Sequence, residues 1–218
     1  MMLSDRDIKQ VVSEKGVIVP FIVENCEGAT VDLTLGRVAN IPKKDGTTIV
    51  LGQEVKDQYE KIDISEKELV LEPGASALVQ TNEFLSIPDD LSARIFPRYS
   101  MTTLGLTVSV LYINPGYRGT PSLLITNNSS TSVRLIPGLR FCQIAFYKLS
   151  STPEKPYPKQ DAKYLDTREV TASRIHMDRE IRAFLESRKV KNINSDVVSE
   201  LNEFLINEIN KSSNRLVQ

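Results

Sequence analysis

The sequence is poor in the side chains that most often build a reactive centre. It has one histidine, His176, and two cysteines, Cys26 and Cys142, in 218 residues. No zinc set of the His/Cys/Cys kind can be drawn from residues so few and so far apart. No metal and no protein-bound cofactor is expected. The two thiols fit the reduced state of a cytoplasmic protein. No run approaches the roughly 20 apolar residues of a membrane helix, and the opening MMLSDRDIKQ has no signal-peptide core. Gly-x-Gly-x-x-Gly, Gly-Lys-Ser, Gly-x-Ser-x-Gly and His-Glu-x-x-His are all missing. A Ser-His-Asp triad would have to use His176, at the edge of the C-terminal tail. The most pointed absence is acid: no Asp or Glu occurs from Leu91 to Pro153. The same span holds Arg94, Arg98, Arg118, Arg134, Arg140 and Lys148. In a chain of formal charge −1, such a block suits an anionic ligand, or packs on an acidic neighbour. It lacks an aromatic stacking platform, so nucleic acid is not the expected partner.

What is present reads as many short strands. Between Ala93 and Tyr147, apolar runs alternate with Asn114-Pro115-Gly116, Gly119-Thr120-Pro121, Asn127-Asn128-Ser129-Ser130 and Pro137-Gly138. That spacing of turns implies a β-sandwich or barrel. Ser4, with Asp7 three residues on, forms a capping-box pattern, so a short helix is expected to about Glu14, ended by Gly16. Ile41 to Ile64 reads as a hairpin plus a variable loop, Ala75 to Val79 as a strand, and Ser151 to Pro158 as an extended linker. Asp178 to Arg188 reads as a helix. A second helix, capped by Ser195 or Asn194, places Val197, Val198, Leu201, Phe204, Leu205 and Ile209 on one stripe. Such a helix pair packs on its own domain or offers a surface to a protein partner.

Several motifs in order resemble the dCTP deaminase and dUTPase superfamily, closest to dCTP deaminase. They are Ala29-Thr30-Val31-Asp32-Leu33-Thr34-Leu35-Gly36, Thr81-Asn82-Glu83 with Pro88-Asp89-Asp90-Leu91, Arg98-Tyr99-Ser100, Leu104-Gly105-Leu106, Ile113-Asn114-Pro115-Gly116-Tyr117-Arg118-Gly119, Asn127, and Pro137-Gly138 with Gln143. The resemblance implies a mainly β, dUTPase-like distorted barrel or sandwich over residues 1–175. A short N-terminal helix belongs to it, and a helical extension follows at 176–218. It also implies a homotrimer with sites between subunits, and a pyrimidine deoxynucleoside triphosphate as ligand, with Mg²⁺ only as the counter-ion of that triphosphate.

By the same resemblance, Arg98, Ser100, Asn114, Tyr117, Gln143, Lys163 and Tyr164 are the nucleotide-binding positions, with Tyr117 under the deoxyribose. The catalytic positions are changed. The family's glutamate falls at Leu124, its assisting arginine and serine at Thr103 and Tyr99, and the dUTPase aspartate at Asn114. Leucine moves no proton, and a neutral amide accepts none at pH 7. The hairpin from Leu106 to Ile113 is about two residues short. In the tail, the family's Gln-Gly-Gln is Leu165-Asp166-Thr167, which puts an acid beside the phosphates. A replacement base would have to come from Asp32, Glu83, Asp89, Asp90, the tail or another subunit. For Asp32, capping a turn or pairing with an arginine is preferred to a catalytic role, and Arg118 and Arg140 read as surface or interface charges. Three functions are compatible with this: a nucleotide-binding or scaffold protein without the family's chemistry, an enzyme with a rearranged site, and a structural subunit that docks through its C-terminal helices.

Overall fold

The computed structural model describes residues 1–215. The chain divides into two compact units, one of 1–43 with 59–171, the other of 44–58 with the chain from Ala172 on.

The first unit opens with helix α1 (Asp5–Lys15). Ser4 Oγ accepts from the Asp7 N–H, and the Asp7 carboxylate accepts from the Ser4 N–H, so the capping box forms. Gly16, at φ 60°, ends the helix in the left-handed region. Thirteen residues of extended chain, β3 (Thr30–Pro42), then span the domain after the short β1 (Ile18–Val19) and β2 (Cys26–Glu27). The hairpin partner of β3 is β4 (Tyr59–Asp63), with Ala39 opposite Ile62. There follow β5 (Leu69–Leu71), β6 (Ser76–Thr81), β7 (Phe84–Ser86) and β8 (Leu91–Pro97). Beyond the short helix α2 (Tyr99–Thr103) come β9 (Leu106–Val108), β10 (Leu111–Ile113), β11 (Arg118–Gly119), β12 (Ser122–Asn127), β13 (Val133–Leu135) and β14 (Arg140–Lys148).

The main sheet runs β10-β8-β14-β3-β6-β12-β9, and every pairing in it is antiparallel. β3 is the hinge of this curled sheet. Its first half pairs with β14 and its second half with β6, through a register shift between Leu35 and Ala39. Gly36 sits at that shift. A Cβ there would stand 2.8 Å from Gln80 Cγ, so only glycine lets the strands approach. Alternating burial along β6 and β12 sends Ala77, Val79, Leu123 and Ile125 into one core with Leu33, Ile95, Ile144 and Phe146. Asn127 ends β12 inside this core. Its amide donates to the carbonyls of Leu71 and Thr131, and its Oδ1 accepts from Ser129.

One sequence expectation fails here. Leu106 to Ile113 is not a hairpin: β9 pairs with β12 and β10 with β8. With only Ser109 and Val110 between them, the two short strands part to opposite ends of the sheet order. Ser109 still bonds back to β12, exchanging bonds with Leu124.

The second unit is helical. α3 (Arg179–Arg188) and α4 (Val198–Arg215) enclose Ile181, Phe184, Ile193 and Leu201. The Phe184 and Phe204 rings meet at 5.6 Å, tilted 66°. Asn194 caps the entry to α4 by accepting from the Asp196 N–H. Val50 packs into the same cluster, and 44–58 falls in this unit. The apolar stripe of α4 is only partly used. Leu201 is buried and Phe204 and Leu205 are half-buried, while Val198 and Ile209 are exposed. None of the described helices is long and apolar enough to cross a membrane.

Candidate functional site

β14 and β3 run side by side at the end of β8, and their outward side chains wall a cleft of about 370 Å³. Gln143 stands opposite both Asp32 and Phe96 in the pairing. Arg98, Tyr99 and Ser100 approach where β8 turns into α2, and Arg140, Glu24, Asn25, Glu27 and Thr30 complete the walls. Three positions from two separate motifs, Arg98 and Ser100 from one and Gln143 from the other, thus meet in one place.

Charge in the cleft centres on Asp32, which is 15% exposed. Its Oδ2 accepts from Arg98 Nε at 3.0 Å and from Arg140 Nη1 at 3.2 Å. Asp32 therefore orients two guanidinium groups, the arginine pairing being one of the two non-catalytic roles expected from sequence. The lining holds three carboxylates against two guanidinium groups. An anion entering here competes with Asp32 for the arginines.

The other predicted positions are not in this cleft. Tyr117 is buried at 8% exposure, its ring 5.7 Å from that of Tyr157. Burial pushes its phenol up to about 12, against the opposing effect of a hydrogen bond to Thr167. It serves here as a packed core aromatic. Asn114 opens the turn that Gly116 permits: its carbonyl accepts from the Tyr117 N–H, and Gly116 has φ 79°. Lys163 lies 6.0 Å from the Tyr164 ring, and the Tyr164 N–H donates to the Tyr157 hydroxyl.

The tail beyond them is fastened to the β domain. Thr167 bridges Gly119 in parallel, the Thr120 N–H donates to Thr167 O at 2.7 Å, and the Asp166 carboxylate meets Arg118 at 2.7 Å. Asp166 stands at φ 56°, in the left-handed region where the family pattern has glycine.

None of the positions at which the resemblance expects catalytic groups, Leu124, Asn114, Thr103 and Tyr99, holds a carboxylate. Leu124 lies on the outward face of β12, 40% exposed, and its N–H donates to Ser109 Oγ at 3.0 Å. Thr103 donates to the Ser100 carbonyl, and Tyr99 is exposed. The candidate replacements are engaged elsewhere. Glu83, at 3% exposure, accepts from the Thr34 N–H and from Thr34 Oγ1 at 2.7 Å, and is not among the residues that line the cleft. Burial raises its pKa despite those bonds. Asp90 pairs with Lys15 at 3.1 Å, and Asp89 packs under the Gly116 turn. Burial holds the Cys142 thiol well above its ordinary value, and the charges of Glu83 and Asp32 add to this. Among the described residues no group of three or more His, Cys, Asp or Glu is placed to hold a metal.

Sequence reasoning missed that Arg98 and Arg140 share one carboxylate. The available signal was the Asp32 to Gln143 register, which only the sheet order reveals.

Comparison with known proteins bears on this site. A family described as dCTP deaminase-like matches residues 2–149. A dCTP deaminase, dUMP-forming, of Dictyoglomus thermophilum is 38% identical over 82% of this chain and 96% of its own length. The protein of that name from Methanothermobacter thermautotrophicus is 35% identical over 83% of this chain and 97% of its own. A solved 2′-deoxycytidine 5′-triphosphate deaminase from Agrobacterium tumefaciens shares the fold at a TM-score of 0.55 and 23% identity. That alignment covers 66% of this chain and 48% of the other.

Proposed function

Since the chain belongs to the dCTP deaminase-like family, we propose that it binds a pyrimidine deoxynucleoside triphosphate without carrying out the family's chemistry. The observation that carries this reading is Leu124. The strand position at which the family resemblance expects the water-activating glutamate holds an exposed leucine. Proton transfer by a placed acid or base contributes about 10²–10⁴ in rate, and neither Thr103 nor Tyr99 restores it.

Binding has better support. Arg98, Ser100 and Gln143 line one cleft. Arg98 is fixed through Nε to Asp32 and through Nη1 to the Arg140 carbonyl, leaving Nη2 to turn toward a phosphate. Family resemblance adds a homotrimer, in which Tyr117, Asn114 and the tail of a neighbouring subunit complete the site, with Mg²⁺ arriving on the triphosphate. Such a trimer acts as a nucleotide-responsive scaffold in a cytoplasmic setting.

The test is thermal stability with dCTP, dUTP and dTTP added separately. At least one is expected to raise Tm, and Arg98→Ala is expected to remove that rise. A rise that survives Arg98→Ala would contradict the placement of the ligand. A second reading, an active enzyme with a rearranged site, draws on the 38% identity to a protein named for the activity. It needs a base from Asp89, the tail or a second subunit, since Asp32, Glu83 and Asp90 are all engaged.

A further inference from the structure

A second hollow, of about 590 Å³, opens on the outward face of the same sheet. Its walls are Ser92 and Arg94 of β8, Val110 and Tyr112 at β10, and Tyr147 of β14. Register explains the assembly. Tyr112 stands opposite Arg94, Arg94 opposite Ala145, and Tyr147 opposite Ser92. Directly opposed residues share a face, as do residues two apart along a strand. The small Ala145 beside Arg94 leaves the row low between Tyr112 and Tyr147.

The chemistry of this lining differs from that of the Arg98 cleft. It has one guanidinium, two phenols, a hydroxyl and an isopropyl group, and no carboxylate. All five residues come from the acid-free stretch. That stretch has five arginines, and four of them are paired: Arg98 and Arg140 with Asp32, Arg118 with Asp166, and Arg134 with Glu68. Of these five, Arg94 alone has no carboxylate or side-chain hydrogen-bond partner among the described residues, and it is exposed. An arginine left free between two tyrosines, in a hollow of ligand size, is the pattern that holds a planar ring and an anion together.

We propose that this hollow is a second ligand site, for a planar aromatic anion of the mononucleotide class, with the anionic group on Arg94 and the ring against Tyr112 or Tyr147. A single charged donor suits one phosphate group better than a chain of acidic residues. The site shares no lining residue with the Arg98 cleft. Gln143 and Tyr147 mark the two along β14, about 13 Å apart at about 3.3 Å per residue. The inference therefore does not rest on the reading of that cleft.

The experiment is calorimetric titration of the full-length protein with dTMP and dCMP, repeated with Arg94→Ala, Tyr112→Ala and Arg98→Ala. Arg94 and Tyr112 are exposed, so their variants are expected to fold. Wild type is expected to show binding that Arg94→Ala and Tyr112→Ala each weaken about tenfold or more, and that Arg98→Ala leaves in place. Binding unchanged in Arg94→Ala would overturn the second site. So would complete loss of binding in Arg98→Ala, a result that leaves the Arg98 reading intact. Absence of any mononucleotide binding, or binding of oligonucleotides alone, would overturn it as well.

Discussion

The Arg98 cleft and the outward face of β12 present opposite chemistry, charged in the first and apolar at Leu124 in the second. In the cleft, Arg98, Ser100 and Gln143 keep polar side chains, and Asp32 holds two arginines in position. On β12, the position at which the resemblance expects an acid holds Leu124, 40% exposed and opposite Leu78 of β6. A buried Leu124 would suggest that the fold demanded an apolar residue. At 40% exposure Leu124 meets no such demand, which fits the proposal that this face does not carry out the family's chemistry. The comparison separates what holds a ligand from what transforms one.

The largest test of this contrast is on the cleft side. Arg98→Ala removes a charge-assisted donor and leaves Asp32 to Arg140 alone, so triphosphate affinity is expected to fall about 10- to 100-fold. Equilibrium dialysis checks this. Asp32→Asn acts the other way on the same contact. It frees both guanidinium groups from competition, and triphosphate binding is expected to tighten about tenfold while Tm falls. Weaker binding in that variant would mean that Asp32 orients Arg98 more than it competes for it.

Glu83 sharpens the comparison from a third place, as an acid that is present but buried. Its folded pKa is raised above the ordinary glutamate value of 4.5 by burial. The protonated form is thus favoured by folding, so its contribution is fully present below pH 4.5 and is lost as pH rises through the folded value. Thermal melts from pH 4.5 to 7 are expected to show wild type losing stability relative to Glu83→Gln as pH rises. A flat difference would contradict the burial argument. The smallest effect is expected on β12. Leu124→Glu changes stability by within about 0.5 kcal/mol, and by itself restores no activity, because Thr103 and Tyr99 still lack the assisting groups.

Much of the fold was legible because its signals are local. Ser4, Asp7 and Gly16 specify α1 from within the helix and its caps. Pro-Gly and Asn-rich turns punctuate the strands, and α3 and α4 follow their apolar period. The failures are non-local. Two residues between Leu106–Val108 and Leu111–Ile113 suggest a hairpin, yet the strands pair elsewhere because β8 and β12 offer longer partners. Val50 joins the helical cluster through contacts that no spacing rule reports. The site divides in the same way. Arg98, Ser100 and Gln143 could be found by motif. The Asp32 bridge and the Tyr112–Arg94–Tyr147 hollow depend on register across three strands, which the sequence does not print.

The most direct measurement is product analysis of dCTP, dUTP and dTTP, each incubated with concentrated protein and Mg²⁺ and resolved by ion-pair chromatography. The account predicts unchanged nucleotides in all three reactions, under conditions where Tm shifts with at least one of them. Appearance of dUTP or dUMP would contradict it, and would require a base that neither Leu124 nor Asn114 can supply.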